Sequence, residues 1–450
     1  MQIFFLILLI CLEAALVVLT LKKQSEKTLW LRNRTVSRAI EAAILLFIVV
    51  MPFTHMKWRY TGALILLGIL LLIAGLCWLL KRKKASGAVK KGRVISSAAL
   101  SVLMIGFALV PAFVFTNYNG LKTTGSYPVR EAEAVLVDES RTDPFSNDGS
   151  PREVAVHLYY PDAEGSFPLI VFSHGAFGYY QSNYSTYAEL VSHGYVVAAL
   201  DHPHHAFFTK NAQGKTVLVD FGFLSDAIDV SNGEKTLDEE FELSRAWMEL
   251  RTGDMNFALD TLKAAAANGS LDGSWHTKHA DAILSALSRA DVDRIGLMGH
   301  SMGGATAVSL GRTRDDVDAV IVLDGTMLDE LTGIENGTFR YNEEPYPVPV
   351  LDFGKKSDYS ETEQAKDGSD ITYVNKYVID HAKDGKRVLF GNCGHMDFTD
   401  LPLFSPLLAS MLGSEKIDHE AFLNRMNSLV LNWFDFYLKG NGTLYIQAEY

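Results

Sequence analysis

Gly299-His300-Ser301-Met302-Gly303 sets a hydroxyl two positions from a glycine on either side, directly after an apolar run (Arg294 to Met298) and directly before a helical one (Ala305 to Arg312). In a strand-turn-helix setting this pattern is a nucleophile elbow. The bend forces the serine into strained backbone angles, requires glycine where strand and helix nearly touch, and exposes the hydroxyl at the carboxyl end of a sheet. The chemistry such a hydroxyl performs is acyl transfer, and the Met302 N–H at the start of the helix points to where an oxyanion would form. A serine hydroxyl needs a base, and the base needs an orienting carboxylate, in the chain order serine, acid, histidine. Of the three later histidines, His381 falls in a polar helical segment and His419 opens the closing helix. His395 follows the strand Arg387 to Phe390 in Gly394-His395-Met396-Asp397-Phe398, where the last catalytic loop belongs. Two acids end strands on the required side, Asp324 after Val320 to Leu323 and Asp358 after Val350 to Phe353; either can reach the imidazole. Asp352, inside its strand, is structural.

A second oxyanion donor is expected from the loop after an earlier strand. Pro168 to Gly178 supplies it: Gly175 permits a sharp turn that directs the Ala176 N–H into the site, and His174 ties the loop down. Phe177, Tyr179 and Tyr180 follow, and either line an acyl pocket or cover the sheet edge. Asp201-His202-Pro203-His204-His205 offers metal-ligand types, but four ligands so close in sequence cannot all reach one ion without an unusual turn. Pocket lining explains them, with His202 as a substrate-binding candidate. Cys393 and His395 make at most half of a metal site. No metal, no nucleotide cofactor and no phosphate-binding glycine loop is expected.

These residues need a scaffold, and the sequence outlines one. Short apolar runs recur at Glu153 to Tyr160, Leu169 to Phe172, Tyr195 to Leu200, Arg294 to Met298, Ala319 to Leu323, Val348 to Phe353 and Arg387 to Phe390. Most are continuous rather than alternating, the mark of strands buried on both faces of a parallel sheet. Helical periods lie between them, at Tyr187 to Ser192, Phe241 to Ala267, Ala280 to Ala290 and His419 to Leu438, so the class is α/β. Residues 207–243, acidic and interrupted by Gly and Asn, break the rhythm as an insertion or lid. Residues 116–150 are a polar linker with a peripheral strand (Glu131 to Val137), and 151–450 form the α/β domain.

Residues 1–115 differ sharply. Apolar runs near 1–21, 39–54, 61–80 and 94–115 suggest an all-α transmembrane region of about four helices, the second being the shortest and carrying Glu41 and Pro52. The first has no basic start and no small-residue cleavage site, as expected of a retained anchor. Glu13 and Glu41 are expected near helix ends or facing the bundle interior. Six basic residues after the first run and seven in Lys81 to Arg93 exceed the two between the second and third, which places both basic loops in the cytoplasm and everything after Phe115 outside it, provided the second run crosses. Of the 41 Lys and Arg and 53 Asp and Glu, only three acids fall before residue 121. The remainder of the chain is strongly acidic, which disfavours nucleic-acid binding.

Phe172-Ser-His-Gly, Ser192-His-Gly-Tyr-Val-Val-Ala-Ala-Leu-Asp-His, Gly299-His-Ser-Met-Gly-Gly-Ala-Thr and Leu323-Asp-Gly-Thr-Met resemble the platelet-activating-factor acetylhydrolase family, with bacterial polyester hydrolases and cutinase-like esterases a step further away. The resemblance spans roughly 128–438 and leaves out the apolar N-terminal runs. It implies an α/β-hydrolase fold, Asp324 rather than Asp358 as the acid, His395 as the base, no metal, and lipid esters with short or oxidised acyl chains as substrates. The insertion at 207–243 departs from the family and leaves the acyl preference open. The expectation is a multi-pass membrane serine esterase acting outside the cytoplasm; the rivals are a metal-dependent hydrolase using 201–205 and a membrane-bound ligand sensor without catalysis.

Overall fold

The computed structural model describes residues 1–22, 26–83, 87–360, 363–364, 370–371 and 373–450. Lys23 and Lys84, two of the cations used to orient the spans, lie outside the described residues. The chain forms two units: residues 1–120 with 402–411, and residues 121–401 with 412–450.

The first unit is helical, with Gln2–Lys22, Lys27–Val50, Thr61–Lys81 and Lys91–Ala108 as its long members. Its interior holds Phe5, Leu9, Leu45, Tyr60, Leu67 and Ile105. Large apolar side chains such as Phe4, Leu72, Leu103 and Phe107 face outward, as hydrocarbon surroundings favour. Among the described residues three helices, Gln2–Lys22, Lys57–Lys81 and Lys91–Ala108, are long and apolar enough to cross a membrane. The expected second run differs: it is the apolar end of Lys27–Val50, a 24-residue helix that also carries Arg34, Arg38 and Glu41. The last run also differs, since Lys91–Ala108 gives way to a separate turn, Val110–Val114, with Pro111 at its start. Glu13 and Glu41 both face the interior, where Arg38 pairs with each and donates to Ser101 Oγ at 2.5 Å. A spanning helix tolerates charge on such terms, inward and paired.

The second unit is built on a nine-stranded sheet. Six strands run parallel, in the order Gly385–Phe390, Val350–Lys355, Ala319–Leu323, Ala290–His300, Phe167–Ser173, Val196–Asp201. Pro151–Pro161 and Val129–Thr142 then add antiparallel, and the two-residue Trp275–His276 closes that edge. Every residue of Phe167–Ser173, Val196–Asp201 and Ala319–Leu323 is buried, because helices cover both faces. Leu237–Asn268, the longest helix, starts at a capping box in which Thr236 and Glu239 satisfy each other's backbone N–H, and stops at Gly269 with φ 62°. It buries Met255, Leu259 and Leu262 against the sheet, and carries Arg251 and Asp254 on the same buried face. The expected insertion is a hairpin, Phe208–Lys210 with Thr216–Leu218, followed by the helix Phe221–Ser231.

Candidate active site

Ser301 stands between the strand Ala290–His300 and the helix Met302–Thr313 with φ 54° and ψ −128°, a conformation that side chains rarely adopt. Its amide donates to Leu323 O at 2.9 Å, and Gly304 and Ala305 close the first helical turn onto its carbonyl. The glycines are required by contact distance. A Cβ at 299 would lie 2.1 Å from the Gly303 carbonyl carbon, one at 303 would lie 2.0 Å from Ser173 O, and one at 325 would lie 2.2 Å from Ser301 O. Strand, elbow and helix are therefore locked to the neighbouring strand ends.

Those strand ends bring two more side chains in. Asp324 leaves Ala319–Leu323 with φ 48°, its amide bonded to Phe353 O at 2.7 Å and its side chain only 5% exposed. His395 sits on a short turn after Gly385–Phe390, and its Nδ1 meets Asp324 Oδ2 at 2.6 Å. A carboxylate at Nδ1 keeps the proton there and leaves Nε2 as the basic nitrogen. His300 Nε2 lies 3.2 Å from the His395 carbonyl and the two rings are 4.6 Å apart, which ties the imidazole to the residue preceding Ser301. Burial beside His395 pushes the His300 ring down to about 3, so it stays neutral. Among the described residues Ser301 Oγ has no hydrogen-bond partner, an arrangement that resting active sites tighten when substrate arrives. Asp397 fastens the histidine turn by accepting from the Gly394 and Glu415 amides at 2.8 and 3.1 Å and from Ser414 Oγ at 2.5 Å. Asp358 points elsewhere, pairing with Lys355 at 3.2 Å.

Facing the elbow is the loop after Phe167–Ser173. A Cβ on Gly175 would lie 3.1 Å from Ser301 Cβ, so backbone packs directly on the elbow. Among the described residues the Ala176 and Met302 N–H groups donate to no protein acceptor. Both border an apolar cluster that includes Val219, Phe223, Trp247 and Phe177, supplied by the insertion, the long helix and the loop. Phe177 lies 5.9 Å from Phe223, and Tyr179 lies 5.3 Å from Phe208 of the hairpin. Tyr180 instead stacks on His157, in the interior strand Pro151–Pro161, at 3.4 Å.

The cluster at 201–205 corrects one expectation. His202 does not line a pocket: it is fully buried, with Nδ1 on Asp254 at 3.0 Å and Nε2 on Ser173 Oγ at 2.8 Å, which leaves no ring nitrogen for a substrate. Burial pushes it down to about 4. Its neighbours diverge rather than converge on an ion. Asp201 accepts from the Tyr180 amide and Thr209, His204 stacks on Phe145, and His205 stacks on Phe223. Cys393 is buried with its thiol pushed up to about 12 by that burial and by Asp324 beside it. Arg251 and Asp254, which pack behind this loop, look in the sequence like ordinary polar positions.

A parallel sheet with a serine elbow between strand and helix, an Asp-backed histidine after the last strand and two unpaired amides define an α/β-hydrolase. The model of one family, "Platelet-activating factor acetylhydrolase, isoform II", matches residues 152–440, and the chain belongs to that family. It is 28% identical over 173 residues to the platelet-activating factor acetylhydrolase of Canis lupus familiaris, a match covering 36% of each chain, so it aligns with about a third of that relative's length. Its fold is similar to that of a ferulic acid esterase from Streptomyces cinnamoneus, with a TM-score of 0.52 and 22% identity over 72% of this chain and 95% of the other.

Proposed function

We propose that this protein is a membrane-anchored serine hydrolase that cleaves carboxylic esters, of lipids or with short acyl chains, through Ser301, His395 and Asp324. The observation that carries the reading is the 2.6 Å bond between His395 Nδ1 and Asp324, held beside a strained elbow whose hydroxyl has no hydrogen-bond partner among the described residues. Ser301 Oγ attacks the ester carbonyl while His395 Nε2 takes its proton, and Asp324 stabilises the imidazolium so formed. The carbonyl oxygen becomes an oxyanion held by the Ala176 and Met302 amides, the second strengthened by the dipole of its helix. Collapse expels the alcohol, which takes the proton from His395. Water, activated by the same ring, then releases the acyl group. The apolar wall around Phe177, Phe223 and Trp247 supports an acyl chain as the group bound there. Ser301→Ala is expected to lower turnover of a p-nitrophenyl ester by roughly 10⁴-fold or more and to abolish fluorophosphonate labelling. Retained activity or labelling would remove the reading, and the sensor reading would replace it if the wild type showed neither.

The hydrolase unit is further proposed to lie outside the cytoplasm, with Lys27–Val50 as a fourth crossing. Support comes from its charges: Arg38 and Glu41 turn inward as a pair while Leu46, Phe47 and Val50 face out. A cysteine placed at Gly442 should then react with a membrane-impermeant maleimide on intact cells; protection until lysis would put the unit inside.

A further inference from the structure

We propose that Arg251 is a positioning residue for the oxyanion-binding peptide, gripping its carbonyl side from behind so that the Ala176 N–H is aimed and polarised toward the reacting carbonyl. The inference rests on the function proposed above. Arg251 projects from Leu237–Asn268 and is fully buried. All three of its nitrogens are spent on the loop and its support: Nη1 donates to His174 O at 2.5 Å, Nη2 to Gly175 O at 3.3 Å and Nε to His205 Nδ1 at 3.2 Å.

The Gly175 carbonyl and the Ala176 N–H belong to one planar unit, and in a trans peptide they point in opposite directions. Fixing the oxygen therefore fixes where the N–H aims. The Gly178 amide, at 3.1 Å, and the His174 ring, at 2.6 Å, hold the same oxygen from other sides. A charge-assisted bond to a carbonyl also polarises the amide, making its N–H a stronger donor.

The charge itself argues against simple filling. Among the described residues no carboxylate is bonded to Arg251, because Asp254, one turn along, is already taken by Arg152 at 2.8 Å, Arg141 at 3.0 Å and His202 at 3.0 Å. A buried guanidinium without its own counter-ion is expensive, and here the compensation is two carbonyl dipoles, both on the oxyanion loop. Burial lowers the group to about 9, which leaves it a cation at neutral pH. The Asp254–His202–Ser173 chain braces the same loop from the side, since the His202 amide donates to His174 Nε2 at 3.2 Å.

The test uses the full-length chain in detergent and compares Arg251→Met with Arg251→Lys. A point charge can hold one carbonyl but not the fork of two. Arg251→Met is expected to lower kcat on p-nitrophenyl acetate about 100-fold, within the range for losing an oxyanion donor, with KM changed less than about threefold. Affinity for an alkylboronic acid, whose tetrahedral adduct needs the oxyanion donors, should fall in parallel, and Arg251→Lys should be intermediate in both. Methylguanidinium added to Arg251→Met should restore part of kcat. Should Arg251→Met fail to fold, Arg251→Lys alone decides by whether boronate affinity falls with kcat. Boronate affinity equal to wild type in either folded variant, or a change in KM alone, overturns the proposal. The wild type and Ser301→Ala, assayed alongside, separate that outcome from failure of the esterase reading: an active wild type with a dead serine variant leaves the function standing while Arg251 falls.

Discussion

Gly303→Ala isolates the geometry of the elbow from its chemistry, because the methyl touches no reacting group. A Cβ at 303 would lie 2.0 Å from Ser173 O, 2.4 Å from Ser173 C and 2.6 Å from His174 O, all backbone atoms of the strand that leads into the Ala176 loop. An ordinary carbon–oxygen contact is about 3.3 Å, so relief requires more than about 1 Å of separation between helix and strand. One oxyanion donor begins that helix and the other follows that strand, so the two amides must part by a similar distance. A displacement of about 1 Å costs on the order of 100-fold in rate, and overpacking costs about 1–3 kcal/mol of stability. The assay is the initial rate of p-nitrophenyl acetate hydrolysis, corrected for the folded fraction from a thermal melt. Gly273→Ala serves as the control, since a Cβ there meets nothing within 4 Å. If Gly303→Ala kept its rate within about threefold of wild type and melted at the same temperature, the close approach of helix and strand would not be what sets the donors.

Asp324→Asn should lower turnover by about 10⁴, as loss of the tautomer-fixing carboxylate does in serine hydrolases, whereas Asp358→Asn should leave it within a few-fold; the reverse result would move the acid to 358. Folding stability should fall as the pH drops below about 6.5. His174, His202, His205 and His300 are all buried, and burial lowers each, to about 4 for His202 and about 3 for His300. The unfolded chain then binds protons that the folded chain refuses, and each ring removes up to about 1.4 kcal/mol per pH unit. Burial lowers His204 as well; Asp400, raised to about 7 by burial, acts in the opposite sense, as do Glu240, Asp318 and Glu330, which burial also raises, and the five histidines set the sign between pH 7.5 and 5. A melting temperature unchanged between pH 7.5 and 5 would contradict this.

What the sequence discloses here depends on whether a position's role is local. The elbow is local: glycine, serine and glycine at fixed spacing, with a short apolar run before and a small-residue helix after, define it without reference to anything distant. Strands buried on both faces are nearly as plain, since Val196 to Leu200 and Ala319 to Leu323 have no polar residue to interrupt them. The choice between Asp324 and Asp358 is not local; both follow strands, and apart from the family resemblance it is the placement of Lys355 next to one and His395 next to the other that separates them. His202 misleads for the same reason. A histidine after a strand suggests a pocket, and nothing nearby signals that Asp254, 52 residues on, has already claimed its ring. Arg251 and Asp254 lie in a helix dense with charge, where a buried pair is indistinguishable in sequence from solvated neighbours. Lys27–Val50 is a similar case: nothing in its own sequence signals that Glu13 and Ser101, on other helices, meet its Arg38.

Residues 402–411 group with the helical unit although they follow His395 by only seven positions. Within that unit Thr116 donates to Phe404 O and Ser405 Oγ donates to Val114 O. A ribosome must therefore have polymerised nearly the whole α/β sequence before the helical unit receives its last piece. Severing the polypeptide near residue 120 would not yield two self-sufficient halves, since one would lack a ten-residue patch and the other would carry it as an orphan. Completion of the helical unit is for that reason coupled to synthesis of the other unit rather than finished before it.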